Sequence, residues 1–263
     1  MAKYERIADD IRARIQAGEW QPGDRLPTET PDLTTHYKTS LNTVRQALGV
    51  LAAEGVVDKV HGRGNFVRKP RKLVVRTNER HQWEKDRARQ SEEARRQTGA
   101  TEHDTGLAVS DLVFSAVFDD EMLADEELAE TFQIPLGTRL LERTYRTRYR
   151  EEDEPFNIAR SYLVYDMIKG NPDLLDPTKE PWPGGTQNQL HTLDIELDRI
   201  EERVTARPPT VEESEELGLK AGVSVLILRK VSHSTDGRVV EVSNVTLPGN
   251  RTEMVFMTSL TRW

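Results

Sequence analysis

Residues Ser40–Val67 read SLNTVRQALGVLAAEGVVDKVHGRGNFV, and they hold in order a helix cap, a two-faced helix, a glycine stop and a basic hairpin. Val44, Ala47, Leu48 and Leu51 fall at i, i+3, i+4 and i+7, which turns all four toward one core. Leu41, Asn42, Arg45 and Gln46 are thereby turned outward at the start of the helix. In a helix-turn-helix the N-terminal residues of the second helix enter the major groove, where Arg, Asn and Gln read base edges by paired hydrogen bonds. Ser40 supplies the cap and Gly55 the stop. Val56–Val60 and Asn65–Val67 are strand-like runs about His61-Gly62-Arg63-Gly64. Two glycines there permit a tight reversal and close approach to a phosphate, and Arg63 brings charge.

Upstream of this stretch, Tyr4, Ile7, Ala8, Ile11 and Ile15 form the apolar stripe of a first helix, with Gly18 just past its end. Pro22-Gly23 marks a turn. Thr30-Pro31 predicts a cap followed by proline at the first position of a short helix that carries Leu33 and Tyr37 inward. Any one of these pieces is commonplace. Their ordered combination over about seventy residues specifies a winged helix-turn-helix.

Residues 4–69 resemble the DNA-binding domain of the GntR family of bacterial transcription regulators. The resemblance is carried by Tyr4, Ile7, Gly18, Pro22 to Pro27, Thr43 to Leu48, Leu51, Glu54-Gly55, and Gly62-Arg63-Gly64 with Phe66-Val67. It implies a DNA-contacting set of Arg25, Ser40, Leu41, Asn42, Thr43, Arg45, Gln46, His61, Gly62, Arg63 and Gly64. Leu41 stands where the family usually has Arg, which removes a common DNA contact. Glu29-Thr30-Pro31-Asp32-Leu33 is one residue longer than the usual Glu-x-Glu-Leu.

Charge divides the chain in the same sense. The total of −8 conceals +4 over residues 1–72, with 13 Lys/Arg against 9 Asp/Glu, and −12 over the remainder. A basic reader joined to an acidic body is the asymmetry of a nucleic-acid-binding protein. The chain has 263 residues, of which 31% are charged and 36% hydrophobic, enough for two ordinary domains with polar surfaces. It has no cysteine, so disulfide and thiolate chemistry are excluded. No run approaches 18 apolar residues and the N-terminus has no signal-peptide pattern, so a cytoplasmic protein with no membrane partner is expected. The six histidines lack metal-ligand spacing, so no metal and no cofactor are expected.

Residues 71–105 open on the end of the basic run Arg68-Lys69-Pro70-Arg71-Lys72, and residues 76–105 are almost devoid of aliphatic side chains. Within them Trp83 is the only large apolar residue of Gln82–Gln97. We read them as a linker between a reading domain at 1–70 and a second domain at 106–263. In that domain Glu121–Phe132 reads as a helix, Arg139–Arg148 as a strand, and Thr210-x-x-Glu213 as a capping box. Val223–Val231 reads as a buried strand, and Asp236-Gly237 as the turn into a further strand. The stretches 129–145 and 213–230 echo each other as helix, glycine turn and strand. They predict two like units sharing one antiparallel sheet with a cleft between the halves.

The second half, over roughly 105–260, resembles the UTRA ligand-sensing domain of the HutC branch. The matching residues are Ile134 to Thr138, Arg146-x-Arg148 before Glu154-Pro155, Arg160 to Leu163, Arg199 to Glu202, Ala206 to Thr210, Leu217 to Leu219, and Asp236 to Glu241. The resemblance implies an α+β protein, a winged helix-turn-helix followed by a chorismate-lyase-like antiparallel-sheet domain that forms homodimers. By period-two alternation Glu142, Thr144, Arg146 and Arg148 share one strand face, and two guanidiniums there suit bidentate capture of carboxylate or phosphate. The expected effector set is Thr144, Arg146, Arg148, Arg160, Ser161, Thr186 and Glu241, with Glu241 closing the pocket. Gly184-Gly185-Thr186 reads as a loop. Leu247 stands where sugar-phosphate sensors can carry Tyr, which argues against a plain sugar phosphate.

The expected partners are therefore operator DNA, a small anionic effector and a second copy of the chain. Two other readings stand beside a repressor released by its effector. One is a repressor of plasmid transfer genes whose second domain only dimerises, which the GGTQNQL segment also resembles. The other is a lyase-like enzyme with a DNA anchor, disfavoured because no acid-base pair is evident.

Overall fold

The computed structural model describes residues 1–69, 71–220 and 222–261, so Pro70 of the basic run falls outside it. The chain divides into two compact units, one built on Met1–Arg71 and the other on most of the residues from Lys72 onward.

The first unit is a small helical core closed by a hairpin. Helix α1 (Lys3–Gln16) buries Ile7, Ala8 and Ile11, and Glu5 reaches back to the Ala2 amide at 2.6 Å to satisfy a free donor of the first turn. After the short α2 (Thr34–His36), α3 (Leu41–Ala53) buries Val44, Ala47, Leu48 and Leu51, the stripe expected from their spacing. Ser40 caps α3 by accepting from the Thr43 amide at 3.3 Å. These side chains join Leu26, Leu33, Val57 and Val67 in one core. Arg12 of α1 grips Glu54 at the end of α3 with a two-pronged contact at 2.7 and 2.9 Å. Strands β1 (Val57–Val60) and β2 (Gly64–Val67) pair antiparallel, with Val60 opposite Gly64.

One local expectation fails in this unit. Thr30 does not cap a helix: its backbone is extended and the Thr30–Pro31 peptide is cis. The role passes to Asp32, whose carboxylate accepts from the Thr28 amide and hydroxyl at 2.8 and 2.7 Å. A side chain immediately beyond the proline thus holds the turn that a cap before it was expected to open. Leu33 is buried and Tyr37 packs at the core margin as expected.

The second unit is a six-stranded antiparallel sheet in the order β4-β5-β6-β9-β8-β7. Its strands are β4 (Leu112–Asp119), β5 (Leu140–Tyr149), β6 (Ile158–Val164), β7 (Leu197–Arg207), β8 (Val225–Ser234) and β9 (Val239–Pro248). Helix α7 (Glu126–Phe132) precedes β5 and helix α10 (Val211–Glu216) precedes β8, so the order is that of two helix-strand-hairpin units side by side. The internal echo of the sequence is this repeat. Gly137 and Gly222 both take positive φ, at 75° and 87°, where the chain turns into the strands. Helix α7 begins later than Glu121 because Asp125 is its cap, accepting from the Leu128 amide at 2.8 Å. The capping box of Thr210 and Glu213 forms as read.

Residues 71–105 are not a linker, which corrects the reading above. Strand β3 (Val74–Thr77) pairs in parallel with β10 (Thr252–Val255) near the other end of the chain. Helices α4 (Arg80–Ala88), α5 (Glu92–Arg96) and α6 (Ala100–Thr105) follow. Polar groups hold this segment in place of aliphatic ones. Asn188 and Gln187 donate to the carbonyls of Ala88 and His81 at 2.7 and 2.9 Å, and Arg95 to that of Pro183 at 2.9 Å. Arg80 pairs with the buried Asp104, His81 with Glu202 at 2.9 Å, and Trp83 stacks on His103 at 4.4 Å. Composition fails here because an aliphatic count does not register side chains that order a chain through hydrogen bonds.

Candidate DNA interface and effector site

Because α3 spends its apolar stripe on the core, Asn42, Arg45 and Gln46 lie on its outer face, while Leu41 is half-buried beside Ser40. The wing loop is His61-Gly62-Arg63, closed by an Arg63 amide to Val60 carbonyl bond of 3.0 Å. Gly62 has φ of 71° and Gly64 of 117°, conformations that side chains disfavour. A side chain at Gly64 would also meet the Arg25 guanidinium at 2.9 Å, so Arg25 lies against the wing. Arg63 projects above the Phe66 ring at 5.9 Å. The eleven expected DNA-contacting residues thus belong to the turn at Arg25, the start of α3 and the wing.

Glu29 was missed by the sequence reading as a member of this surface. It accepts from Arg45 Nε at 2.8 Å and from Asn65 Nδ2 at 3.3 Å, so it touches both the helix and the wing strand. Its hydrogen bond to Arg45 holds its carboxyl below the ordinary carboxylate range.

The expected effector set is split by the sheet. Register places Arg143 opposite Ser161 and Thr144 opposite Arg160, so odd and even positions of β5 go to opposite faces. Ser161, Thr186 and Glu241 meet around Arg143, a fully buried residue that the sequence reading left out of the site. Arg143 donates to Gln189 at 2.6 Å, to Ser161 at 3.1 Å and to Thr186 at 3.3 Å, and its Nε has no hydrogen-bond partner among the described residues. Glu241 accepts from Ser161 at 2.7 Å and Ser232 at 3.2 Å, and pairs with Lys230 at 2.9 Å and Arg143 at 3.9 Å. Burial opposes its ionisation, but Lys230 and Arg143 outweigh that and hold its carboxyl below the ordinary range. Tyr145 donates to Glu180 at 3.0 Å, and burial first of all raises its phenol well above the ordinary value. Thr186 sits in the first turn of α9 (Gly185–His191) rather than in a loop.

Arg146 and Arg148 lie on the other face with Thr144 and Arg160. They line a cleft of about 410 Å³ with Val113, Ser115, Asp153, Pro155 and Glu216. Arg146 pairs with Glu216 of α10, and Arg148 donates to the Glu152 carbonyl at 2.9 Å. Glu241 does not close this cleft. Ser161 pairs with Ser243, so Glu241, two residues earlier on β9, falls on the Arg143 side, and a β-bulge where register shifts between Ser232 and His233 brings Val240 to that side as well, with Leu141. The sequence signal that would have found Arg143 is its parity with Ser161 across the β5–β6 hairpin.

Comparison with known proteins accords with this geometry. The family description "Bacterial regulatory proteins, gntR family" matches residues 3–67, and the UTRA domain matches residues 120–253. The mannosyl-D-glycerate transport/metabolism system repressor of Escherichia coli is 28% identical over 91% of this chain and 89% of its own length. An uncharacterized HTH-type transcriptional regulator of Streptomyces coelicolor is 27% identical over 91% of this chain and 86% of its own. The crystal structure of a GntR-family transcriptional regulator superposes with a TM-score of 0.58 at 26% identity, covering 99% of both chains. Among the described residues no helix is long and apolar enough to cross a membrane. The chain belongs to the gntR family of bacterial regulatory proteins, in the group whose second domain is the effector-binding UTRA domain, and it is a DNA-binding transcription regulator.

Proposed function

We propose that this regulator is a homodimeric repressor that a small carboxylate- or phosphate-bearing molecule releases from its operator. Operator reading belongs to Asn42, Arg45 and Gln46 at the start of α3, with Arg25, Ser40, Leu41, Thr43 and the wing residues His61, Gly62, Arg63 and Gly64 holding the backbone or filling the groove edge. The effector site is the Arg143 side of the sheet. The observation that carries this is the convergence of Ser161, Thr186 and Glu241 on one buried guanidinium whose Nε has no hydrogen-bond partner among the described residues. Buried, strongly paired ionisable groups are costly and mark functional sites. Gln189 and Glu241 face the guanidinium, the first by a hydrogen bond and the second as a charge at 3.9 Å, and an incoming anion takes their place. Effector and operator then oppose each other reciprocally, by about 5- to 150-fold for ordinary coupling energies.

A thermal-shift survey of anionic metabolites, followed by operator release measured on each hit, tests this reading. Arg143→Lys keeps the charge and loses the planar fork, so it should bind operator normally and fail to be released. If the metabolite that releases the wild type releases Arg143→Lys equally well, the assignment is wrong. The open cleft at Arg146 and Arg148 favours a second reading, in which the anion enters there and displaces Glu216. In that case Arg146→Gln abolishes release and Arg143→Lys does not.

The wing makes a separate prediction. Arg63→Ala should weaken binding to all sequences alike and lower the log–log salt slope by about one unit, the share of a single neutralised phosphate. Filter binding between low and moderate salt reads the slope, and an unchanged value removes Arg63 from the interface.

A further inference from the structure

The segment Thr28–Leu33 carries a side chain, Glu29, that touches both α3 and the wing strand. Its backbone is pinned at both ends: Asp32 holds Thr28, and the Leu33 amide donates to the Thr28 carbonyl at 3.0 Å. The Leu26 amide donates to the Asn65 carbonyl at 2.9 Å, tying the same stretch to the wing strand. Glu29 therefore projects from a fixed frame. One carboxylate oxygen takes Arg45 Nε at 2.8 Å and the other takes the buried Asn65 amide at 3.3 Å. Lys59 of the wing donates to the Arg45 carbonyl at 3.4 Å, so helix and wing meet at this point.

The choice of nitrogen matters. Glu29 engages Nε, and the two terminal nitrogens of Arg45 make no hydrogen bond among the described residues, with the side chain 61% exposed. A guanidinium is planar, so fixing Nε fixes the direction of the remaining fork. That fork is the end that meets guanine O6 and N7 together. A free arginine samples many rotamers and pairs with any phosphate in reach. A carboxylate at this place also repels the DNA backbone, which lowers affinity for every sequence.

We propose that Glu29 is a specificity-determining positioning residue: it holds Arg45 end-on for guanine in the operator and gives up non-specific affinity in return. This rests on α3 being the reading helix, and the test separates the two claims. The site preferred by the full-length wild type is first selected from a randomised duplex pool. Wild type, Arg45→Ala, Glu29→Ala and Glu29→Gln are then titrated against that duplex, against versions with each guanine pair replaced by adenine-thymine, and against poly(dI-dC). Melting midpoints check that each variant is folded.

Wild type should lose about tenfold or more on replacing the guanine that Arg45 reads, a loss absent from Arg45→Ala. Glu29→Ala should lose about threefold or less at that same base pair, because Arg45 is no longer aimed. It should also bind poly(dI-dC) roughly two- to fivefold more tightly, since one negative charge has left the interface. Glu29→Gln keeps an acceptor for Nε and should restore most of the base discrimination while retaining the tighter non-specific binding. Full base discrimination in Glu29→Ala overturns the proposal, as does a parallel fall in specific and non-specific affinity, which is the mark of a merely structural side chain. If Arg45→Ala shows the wild-type loss at every guanine, it is the reading-helix assignment that fails.

Discussion

Arg45→Ala should reduce operator affinity by about 1–3 kcal/mol for each reading domain engaged, and roughly twice that when both domains of a dimer occupy their half-sites. The loss comes from one bidentate base contact and is confined to specific binding. Folding should barely change. The residue is solvent-exposed, and its pairing with Glu29 is of the largely exposed kind that contributes about 0–1 kcal/mol. A band-shift titration beside a thermal melt reads both quantities. Wild-type affinity within about twofold on the selected site, well inside the smallest change expected for a base contact, would place the recognition surface elsewhere on the domain. The contrast with core positions is sharp: Leu48 and Leu51 lie on the opposite face of the same helix and are fully buried. Truncating either to alanine should cost about 2–5 kcal/mol of stability and remove DNA binding only by unfolding the domain.

How legible the molecule was in its sequence follows from which interactions built each part. The reading domain is organised by helix periodicity, a serine cap and glycine turns, all of which are local, so α3, its buried stripe and the wing lie where spacing put them. The repeat in the second domain was legible for the same reason, because Phe132 with Gly137 and Leu217 with Gly222 punctuate two equal units. Residues 71–105 were not, since their order depends on partners far along the chain, such as Asn188, Pro183 and Glu202. The spatial grouping of the expected effector residues was half legible. Of the expected residues, Ser161, Thr186 and Glu241 come together around Arg143. Alternation correctly grouped Thr144, Arg146 and Arg148 on one face, but nothing local said which face Glu241 would join. That was decided by the pairing of β6 with β9, with Ser161 opposite Ser243, which no window along one strand contains.

Arg143→Ala should destabilise the second domain by about 3–5 kcal/mol, because it leaves Glu241 buried against a cavity with one of its two cations gone. Lys230 remains at 2.9 Å, but the hydrogen bonds that Arg143 gave Gln189, Ser161 and Thr186 are lost. Arg146→Ala is the internal control. Its pair with Glu216 has both side chains about one-third exposed, at 33% and 32%, so screening keeps its loss near 1 kcal/mol or less. The two residues lie close together on one strand and carry the same charge, so the difference isolates burial from chemistry. Chemical denaturation of the full chain in a Trp20→Phe background, followed by the fluorescence of the tryptophans of the second unit, should show a transition for Arg143→Ala at clearly lower denaturant, with Arg146→Ala close to wild type. Pairing Arg143→Ala with Glu241→Gln adds a sign test. If Glu241 is destabilising once its guanidinium is gone, removing its charge recovers part of the loss, and the double variant is more stable than Arg143→Ala alone. Equal destabilisation by Arg143→Ala and Arg146→Ala, or no recovery in the double variant, would mean that the Arg143 side is open to water and that its charges are not paired as a unit.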